Sequence, residues 1–298
     1  MFLEKLLFLN KNTLKQTPEF KSFRLKDVNP LGGTTKIRTI FSPNNAMRQV
    51  HKIFIRFLRS LALNLSCAKG ATSGSSTKKN VLVHRINRYF YLLDIKNAFP
   101  SVDGKRLAEI IAGSSELLRG KKDEIFAFLK AYCLSDAHGL LVGAPASPDL
   151  FNIYAACLVD EKLSEFSKKH GITYTRYLDD LTFSSPRKIG KRKRKEIRKI
   201  VEGAGFVISH RKSAVYDLKR GPIEINGIGL EFGGRIFLPR HYLSKIRGLL
   251  HRAIQNGDIP KSTINGLMGV FWSATEKRKL NRSEEKILEL YKEYLRQR

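Results

Sequence analysis

Two adjacent carboxylates, Asp179-Asp180, stand between two β-prone runs, and no other stretch limits the fold so narrowly. Before them Ile172, Tyr174 and Arg176 alternate with Thr173, Thr175 and Tyr177; after them come Leu181, Thr182 and Phe183. Strand, short acidic tip and strand again spell a hairpin. Adjacent carboxylates in one tight turn repel each other. The repulsion costs little in water and much more in a cleft, where cations must offset it. Hard oxygen donors of this kind suit Mg²⁺. Asp is also a common turn residue, so a solvated turn is the plain alternative.

A third carboxylate weighs against the solvated turn. The run Tyr89-Phe90-Tyr91-Leu92-Leu93-Asp94-Ile95 is aromatic and aliphatic up to its acid, and Asn97-Ala98-Phe99-Pro100 then breaks it. This pattern predicts a buried strand that delivers Asp94 at its end, although an Asp here also suits a helix N-cap. If the two strands are neighbours, three carboxylates meet. Such a site holds two divalent ions about 4 Å apart, which clamp the attacking and leaving oxygens of an in-line phosphoryl transfer. Acids serve this chemistry better than His or Cys because Mg²⁺ favours phosphate and carboxylate oxygens.

Asp94-Ile95-Lys96-Asn97-Ala98-Phe99-Pro100-Ser101 resembles the first catalytic motif of reverse transcriptases, and Tyr177-Leu178-Asp179-Asp180 resembles their Tyr-x-Asp-Asp motif. Gly143-Ala144-Pro145-Ala146-Ser147-Pro148 lies between them, where that family carries a Gly-x-x-x-Ser-Pro segment. The resemblance runs over roughly residues 20 to 245. It implies an α+β right-hand fold: fingers over 1–90, a palm of antiparallel strands and helices over 91–235 with helical finger elements around 104–140, and a helical thumb over 236–298. It also implies RNA-directed DNA synthesis from dNTPs, with Asp94, Asp179 and Asp180 holding two Mg²⁺.

Asn80-Val81-Leu82-Val83-His84 resembles the Asn-Ala-x-x-His signature of bacterial retron reverse transcriptases, with Val81 in place of Ala. Glu224-Ile225-Asn226-Gly227-Ile228-Gly229-Leu230 resembles the primer-grip hairpin, with Ile225-Asn226-Gly227 where retrons usually carry Val-Thr-Gly. The retron reading implies a cognate structured noncoding RNA copied into single-stranded DNA, a separate effector protein and a part in phage defence. Group II intron, diversity-generating and abortive-infection reverse transcriptases are the alternatives. A catalytically inactive RNA-binding protein of this fold is another, against which the intact Asp94, Asp179 and Asp180 count.

Further roles follow from the resemblance. Lys36 and Arg38 share one face of a finger strand and would grip the incoming triphosphate; an exposed basic edge strand would look the same. Phe99, five residues past Asp94, would exclude a ribose 2′-hydroxyl by overlap, whereas a plain core Phe is the alternative. Gly143 would let the template and nucleotide lie against backbone, next to Val142 where many relatives carry Gln. Lys212, at the end of Gly205-Phe206-Val207-Ile208-Ser209-His210-Arg211-Lys212, would neutralise the leaving pyrophosphate. Asn80, His84, Tyr177, Asn226 and Gly227 would contact RNA or primer, although an Asn and a His one helical turn apart are more often packing and capping residues.

Charge agrees with a nucleic-acid partner. The 298 residues include 55 Lys and Arg against 27 Asp and Glu, a formal net charge of +28, which suits a polyanion. The segment Arg187–Lys199 predicts a helix with an apolar stripe of Ile197, Ile200 and Val201 and a basic outer face for phosphate contact, although a localisation signal or a solvated face would look the same. No apolar run reaches the roughly 18 residues of a spanning helix. The opening Met1–Leu9 is interrupted by charge and predicts an amphipathic helix over 1–16 rather than a signal peptide. Cys67, Cys133 and Cys157 lack metal spacing, which favours a reducing cytoplasm. The small-residue stretch Gly70–Thr77 predicts a loop over which backbone approaches a ligand.

Overall fold

β3 (Tyr89–Lys96) sits at the centre of the main sheet and has two different faces. The structure, a computed structural model, describes residues 2–7, 9, 16–27, 36–61, 63–275 and 279–297, without the side chain of Lys36. Alternate residues of a strand point to opposite sides. Tyr91, Leu93 and Ile95 enter the largest apolar cluster, while Phe90 and Leu92 join a smaller one on the other face. Asp94 falls on the Phe90 side.

β4 (Thr173–Tyr177) and β5 (Asp180–Ser185) form the expected hairpin, and β5 pairs antiparallel with β3. On its other side β3 pairs with β6 (Val207–Ile208) near its end and with β7 (Ala214–Asp217) near its start. The register sets Asp94 directly opposite Asp180. Leu181 and Phe183 face the large cluster, so Asp180, Thr182 and Ser184 share the face that carries Asp94.

Helices cover the apolar face. α1 (Phe2–Leu6), α2 (Asn45–Ser60), α4 (Gly104–Gly113), α5 (Lys122–Tyr132), α6 (Ser147–Ala155), α7 (Glu161–His170) and α8 (Lys191–Gly203) all send side chains into that core. Asn44 caps α2 by accepting from the Met47 N–H, and Asp103 caps α4. Between α6 and α7 the chain makes a π-helical turn, Ala156–Asp160. The helix expected over 1–16 is seen at Phe2–Leu6; positions 8 and 10–15 lie outside the described residues.

The opposite face of the sheet is covered by α3 (Thr77–His84) and by the hairpin of β8 (Ile223–Ile225) and β9 (Ile228–Leu230), which β10 (Ile236–Phe237) extends. Val81, Phe90, Leu218, Ile223, Ile225, Ile228 and Leu230 make this smaller core. Two of the sequence departures, Val81 and Ile225, are packed inside it. A separate two-stranded sheet pairs β1 (Phe20–Asp27) with β2 (Lys36–Pro43); the expected connecting loop, Pro30-Leu31-Gly32-Gly33, lies outside the described residues. α9 (Arg240–Asn256), α10 (Lys261–Thr275) and α11 (Arg282–Arg296) bury a third cluster of their own around Ile246, Leu250, Met268, Phe271 and Tyr294.

Candidate active site

The β4–β5 turn is tight and unusual. Tyr177 pairs with Asp180, so Leu178 and Asp179 are its two central residues, and Leu178 has φ of 54°. A side chain other than Gly rarely adopts that region unless its surroundings enforce it. Two neighbours do so. Arg176, fully buried, donates from Nη1 to the Leu178 carbonyl at 3.2 Å. From the other side Gly70 presses on the turn: a Cβ there would lie 3.0 Å from Leu178 Cγ and 3.1 Å from its backbone nitrogen. The small-residue loop thus makes its close approach to the protein's own β4–β5 turn.

Arg176 is held in turn by Asp160, Nη2 to Oδ2 at 2.7 Å, and by Asn152, Nη1 to Oδ1 at 2.9 Å. Tyr174 donates its hydroxyl to Asp160 Oδ1 at 2.7 Å, and Asn152 Nδ2 reaches the Gly70 carbonyl at 2.8 Å. A buried charge needs a partner and further hydrogen bonds to offset lost hydration, and this cluster supplies both. The sequence carried one signal for it: Arg176 occupies the inward register of Ile172 and Tyr174.

Asp94, Asp179 and Asp180 gather where β3 ends and the turn begins. The Ile95 N–H donates to the Asp179 carbonyl at 2.9 Å, which ties the turn to β3. Burial raises the Asp179 carboxyl above the usual range, and the charge of Asp94 adds to it, while Lys212 and Arg38 act the other way. Burial, followed by the charges of Asp179 and Asp94, pushes Asp180 up to about 6. Three carboxylates this close form a site short of positive charge. Lys212 Nζ donates to Asp94 Oδ2 at 2.8 Å, and Asn226 Nδ2 donates to Asp180 Oδ2 at 2.8 Å. Among the described residues no group of three His, Cys, Asp or Glu is closed around a metal-sized point. The donor set nonetheless fits a hard divalent cation, which would relieve the repulsion.

Other residues singled out in the sequence lie as follows. Arg38 is exposed on β2, near enough for its charge to act on Asp179; the side chain of Lys36 lies outside the described residues. Phe99 is half-buried with its ring 5.4 Å from that of Phe151. Gly143 has φ of 97°, and a Cβ there would lie 2.8 Å from the Phe41 carbonyl oxygen, while the Phe41 N–H donates to the Val142 carbonyl at 2.8 Å. Its missing side chain makes room for β2. Tyr177 is half-buried at the end of β4. Asn226 and Gly227 have φ of 49° and 83° and form a two-residue turn between Ile225 and Ile228, as Asn-Gly does best.

Asn80 and His84 depart from the expected RNA contact. Both are wholly buried, and both hydrogen-bond inward. A side chain with no solvent-facing surface has none to offer an RNA strand. The sequence also gave no reason to single out His51, which is buried in α2, accepts from the Ala146 N–H through Nδ1 at 3.1 Å and contacts the Tyr132 carbonyl through Nε2 at 2.9 Å.

The family model described as "Reverse transcriptase (RNA-dependent DNA polymerase)" matches residues 25–230 of the 298. The retron Ec83 reverse transcriptase of Escherichia coli is 26% identical over 248 residues, covering 80% of this chain and 78% of that protein. The retron Mx162 reverse transcriptase of Myxococcus xanthus is 28% identical over 244 residues, covering 72% of this chain but only 49% of that longer protein. Telomerase from Candida albicans, solved with a fragment of telomeric RNA, is 12% identical with a TM-score of 0.52, covering 96% of this chain and 60% of that one. Apo telomerase from Candida tropicalis is 13% identical with a TM-score of 0.50, covering 87% and 60%. These likenesses in fold support the α+β right-hand polymerase architecture.

Proposed function

Because this chain belongs to the reverse transcriptase family of RNA-dependent DNA polymerases, we propose that it is a retron-type enzyme that copies a cognate structured RNA into single-stranded DNA. The observation that carries this reading is the antiparallel register that sets Asp94 opposite Asp180, with Asp179 at the adjoining turn. In this reading Asp94, Asp179 and Asp180 would hold two Mg²⁺ ions, whose chemistry there would be Lewis-acid stabilisation of a phosphoryl transfer. The attacking group is a primer 3′-hydroxyl, or a 2′-hydroxyl of RNA at initiation, and pyrophosphate leaves.

The chain's own residues do the rest. Arg38, with Lys36, draws the triphosphate toward the carboxylates. Lys212 lies on the Asp94 side and offers its ammonium to the departing pyrophosphate. Phe99 stands at the sugar, its ring backed by Phe151. Gly143 holds the wall beside the nucleotide through its contact with β2. Tyr177 and the backbone at Asn226-Gly227 border the primer. The exposed basic side chains of α8 contact RNA phosphates. The fingers, palm and thumb divide near residues 90 and 235, and the separate core of α9–α11 supports the second boundary. A separate effector protein, a role in phage defence and a place in the cytoplasm complete the reading. No helix among the described residues is long and apolar enough to cross a membrane.

The test is to purify the protein from its host at moderate salt and treat the bound nucleic acid separately with ribonuclease and deoxyribonuclease. The expected result is one discrete RNA joined to a short single-stranded DNA. A smear of cellular RNA without DNA would overturn the reading in favour of an inactive RNA binder, and a long intron RNA would favour a group II type.

A further inference from the structure

An unbroken chain of side-chain hydrogen bonds leads from the interior to Asp180, and the charge of that carboxylate sets the direction of every link. An ionised carboxylate only accepts, so Asn226 must offer Asp180 its amide nitrogen, at 2.8 Å. Asn226 Oδ1 then faces Asn80, which gives its own Nδ2 at 2.7 Å. Asn80 Oδ1 therefore accepts, and the donor is the Thr175 hydroxyl at 2.6 Å. Thr175 has spent its single proton, so its oxygen must accept from His84 Nε2, at 2.7 Å. A neutral imidazole carries one proton. With that proton on Nε2, Nδ1 accepts from the Ser184 hydroxyl at 2.7 Å. Ser184 is supplied by Asn87 Nδ2, also at 2.7 Å.

Six residues thus donate in one sense, from Asn87 through Ser184, His84, Thr175, Asn80 and Asn226, and Asp180 accepts at the end. They come from α3, the loop that follows it, β4, β5 and the β8–β9 turn, elements far apart in the chain. Asn80, His84 and Ser184 are fully buried, with Thr175 at 2% and Asn87 at 5% exposure. Asn226 reaches both neighbours from a left-handed backbone position in a two-residue turn.

Resting on the polymerase reading above, we propose that this chain is a positioning relay, in which Asn80, His84 and Thr175 act through Asn226 to fix the orientation of Asp180 for its cation. Asn226 occupies Oδ2, which leaves Oδ1 as the oxygen presented to the divalent ion. The carboxylate rotates freely if any link fails, because the next amide or hydroxyl is then free to turn. Asn80 and His84 belong to the motif whose expected role was RNA contact; in this proposal they act on the metal site from inside the protein. Partners of this kind, one step behind a metal ligand, change metal affinity by about 10- to 100-fold when removed.

Thr175→Val removes one hydroxyl in a near-isosteric change. The expected result is weaker Mn²⁺ binding to the purified protein, by about tenfold in calorimetry, and a matching rise in the Mg²⁺ concentration for half-maximal synthesis. RNA affinity and the dNTP KM at saturating Mg²⁺ should hold. Thr175→Ser should restore the wild-type values. Asn226→Ala should give the same shift as Thr175→Val, and the double variant no more than either. Two outcomes would overturn the relay: a Thr175→Val protein that melts earlier yet binds Mn²⁺ normally, or effects of the two substitutions that add. If Thr175→Val fails to fold, the wild-type protein still decides. With ¹⁵N-labelled histidine, NMR should show His84 as the neutral Nε2–H tautomer at pH 7, assigned by loss of its signals in His84→Gln. An Nδ1–H tautomer would contradict the proposal. Mn²⁺ binding and the tautomer are read without any synthesis, so a wild-type protein that makes no DNA would sink the polymerase reading and still leave the relay tested.

Discussion

Histidine burial carries a measurable cost at acid pH. Burial drives His84 down to about 3, with the charge of Lys69 adding to the effect, and burial drives His51 down to about 4. Each group therefore binds a proton more weakly folded than unfolded, where its pKa is about 6.5. Their contribution is complete above pH 6.5 and is lost as pH falls toward the folded values. The slope approaches about 1.4 kcal/mol per pH unit per group only well below pH 6.5, so the pair should cost about 2 kcal/mol between pH 6.5 and 5.5. Asp180 works in the opposite sense, since its raised pKa favours proton binding by the folded state as pH falls to about 6. Calorimetric Tm values from pH 8 to 5 should fall steeply below pH 6.5, and His84→Gln should flatten the fall; a Tm that does not change over this range would contradict the buried neutral rings. Phe99→Ala should admit ribonucleotides about tenfold more readily, measured by primer extension, and unchanged discrimination would leave Phe99 only its packing on Phe151. The meeting of Asp94, Asp179 and Asp180 was legible in the sequence because each acid stands at the end of an apolar, β-prone run. The roles of Asn80 and His84 were not, because their partners on β4, β5 and the β8–β9 turn lie some 90 to 150 positions away.

Among elements, the β4–β5 turn depends on what lies beneath it. Arg176→Met would leave Asp160 buried without its cation, at a cost of about 3 to 5 kcal/mol, read by urea unfolding. Adding Asp160→Leu should recover much of that stability. Synthesis should stay low in the double variant, since the Leu178 carbonyl still lacks its donor. Recovery of full synthesis together with stability would show that Arg176 acts on folding alone. Gly143→Ala should cost about 1 to 3 kcal/mol, from its left-handed backbone as well as the close Phe41 carbonyl. Hairpins, amphipathic helices and the Asn226-Gly227 turn follow from periodicity and turn chemistry, and the sequence shows them. The π-helical turn at Ala156–Asp160 does not follow from either. Its last residue, Asp160, pairs with Arg176 of β4, a contact across the fold that local periodicity does not show.

Across the whole molecule, the resemblance to reverse transcriptases, and within them to the retron branch, is borne out by the family match and the retron relatives. The net charge of +28 sets a further expectation. RNA affinity should fall by about 10³-fold or more between 50 and 200 mM salt if six or more phosphates are contacted, measured by filter binding. A salt-independent affinity would remove the basic surface from the account of RNA binding. The apolar faces of β3 explain why one sheet supports two cores, and that division is visible in the alternation of Tyr91, Leu93 and Ile95 with Phe90 and Leu92.

The most direct measurement compares wild-type, Asp94→Asn and Asp179→Asn proteins on an RNA template with an annealed primer, dNTPs and Mg²⁺, with RNA affinity measured alongside. A neutral amide binds Mg²⁺ poorly, whereas RNA affinity rests on the many Lys and Arg side chains. Wild-type protein should extend the primer, and both variants should lose synthesis while binding RNA within about twofold of wild type. Full synthesis by Asp94→Asn would contradict the assignment of the carboxylate cluster as the catalytic centre.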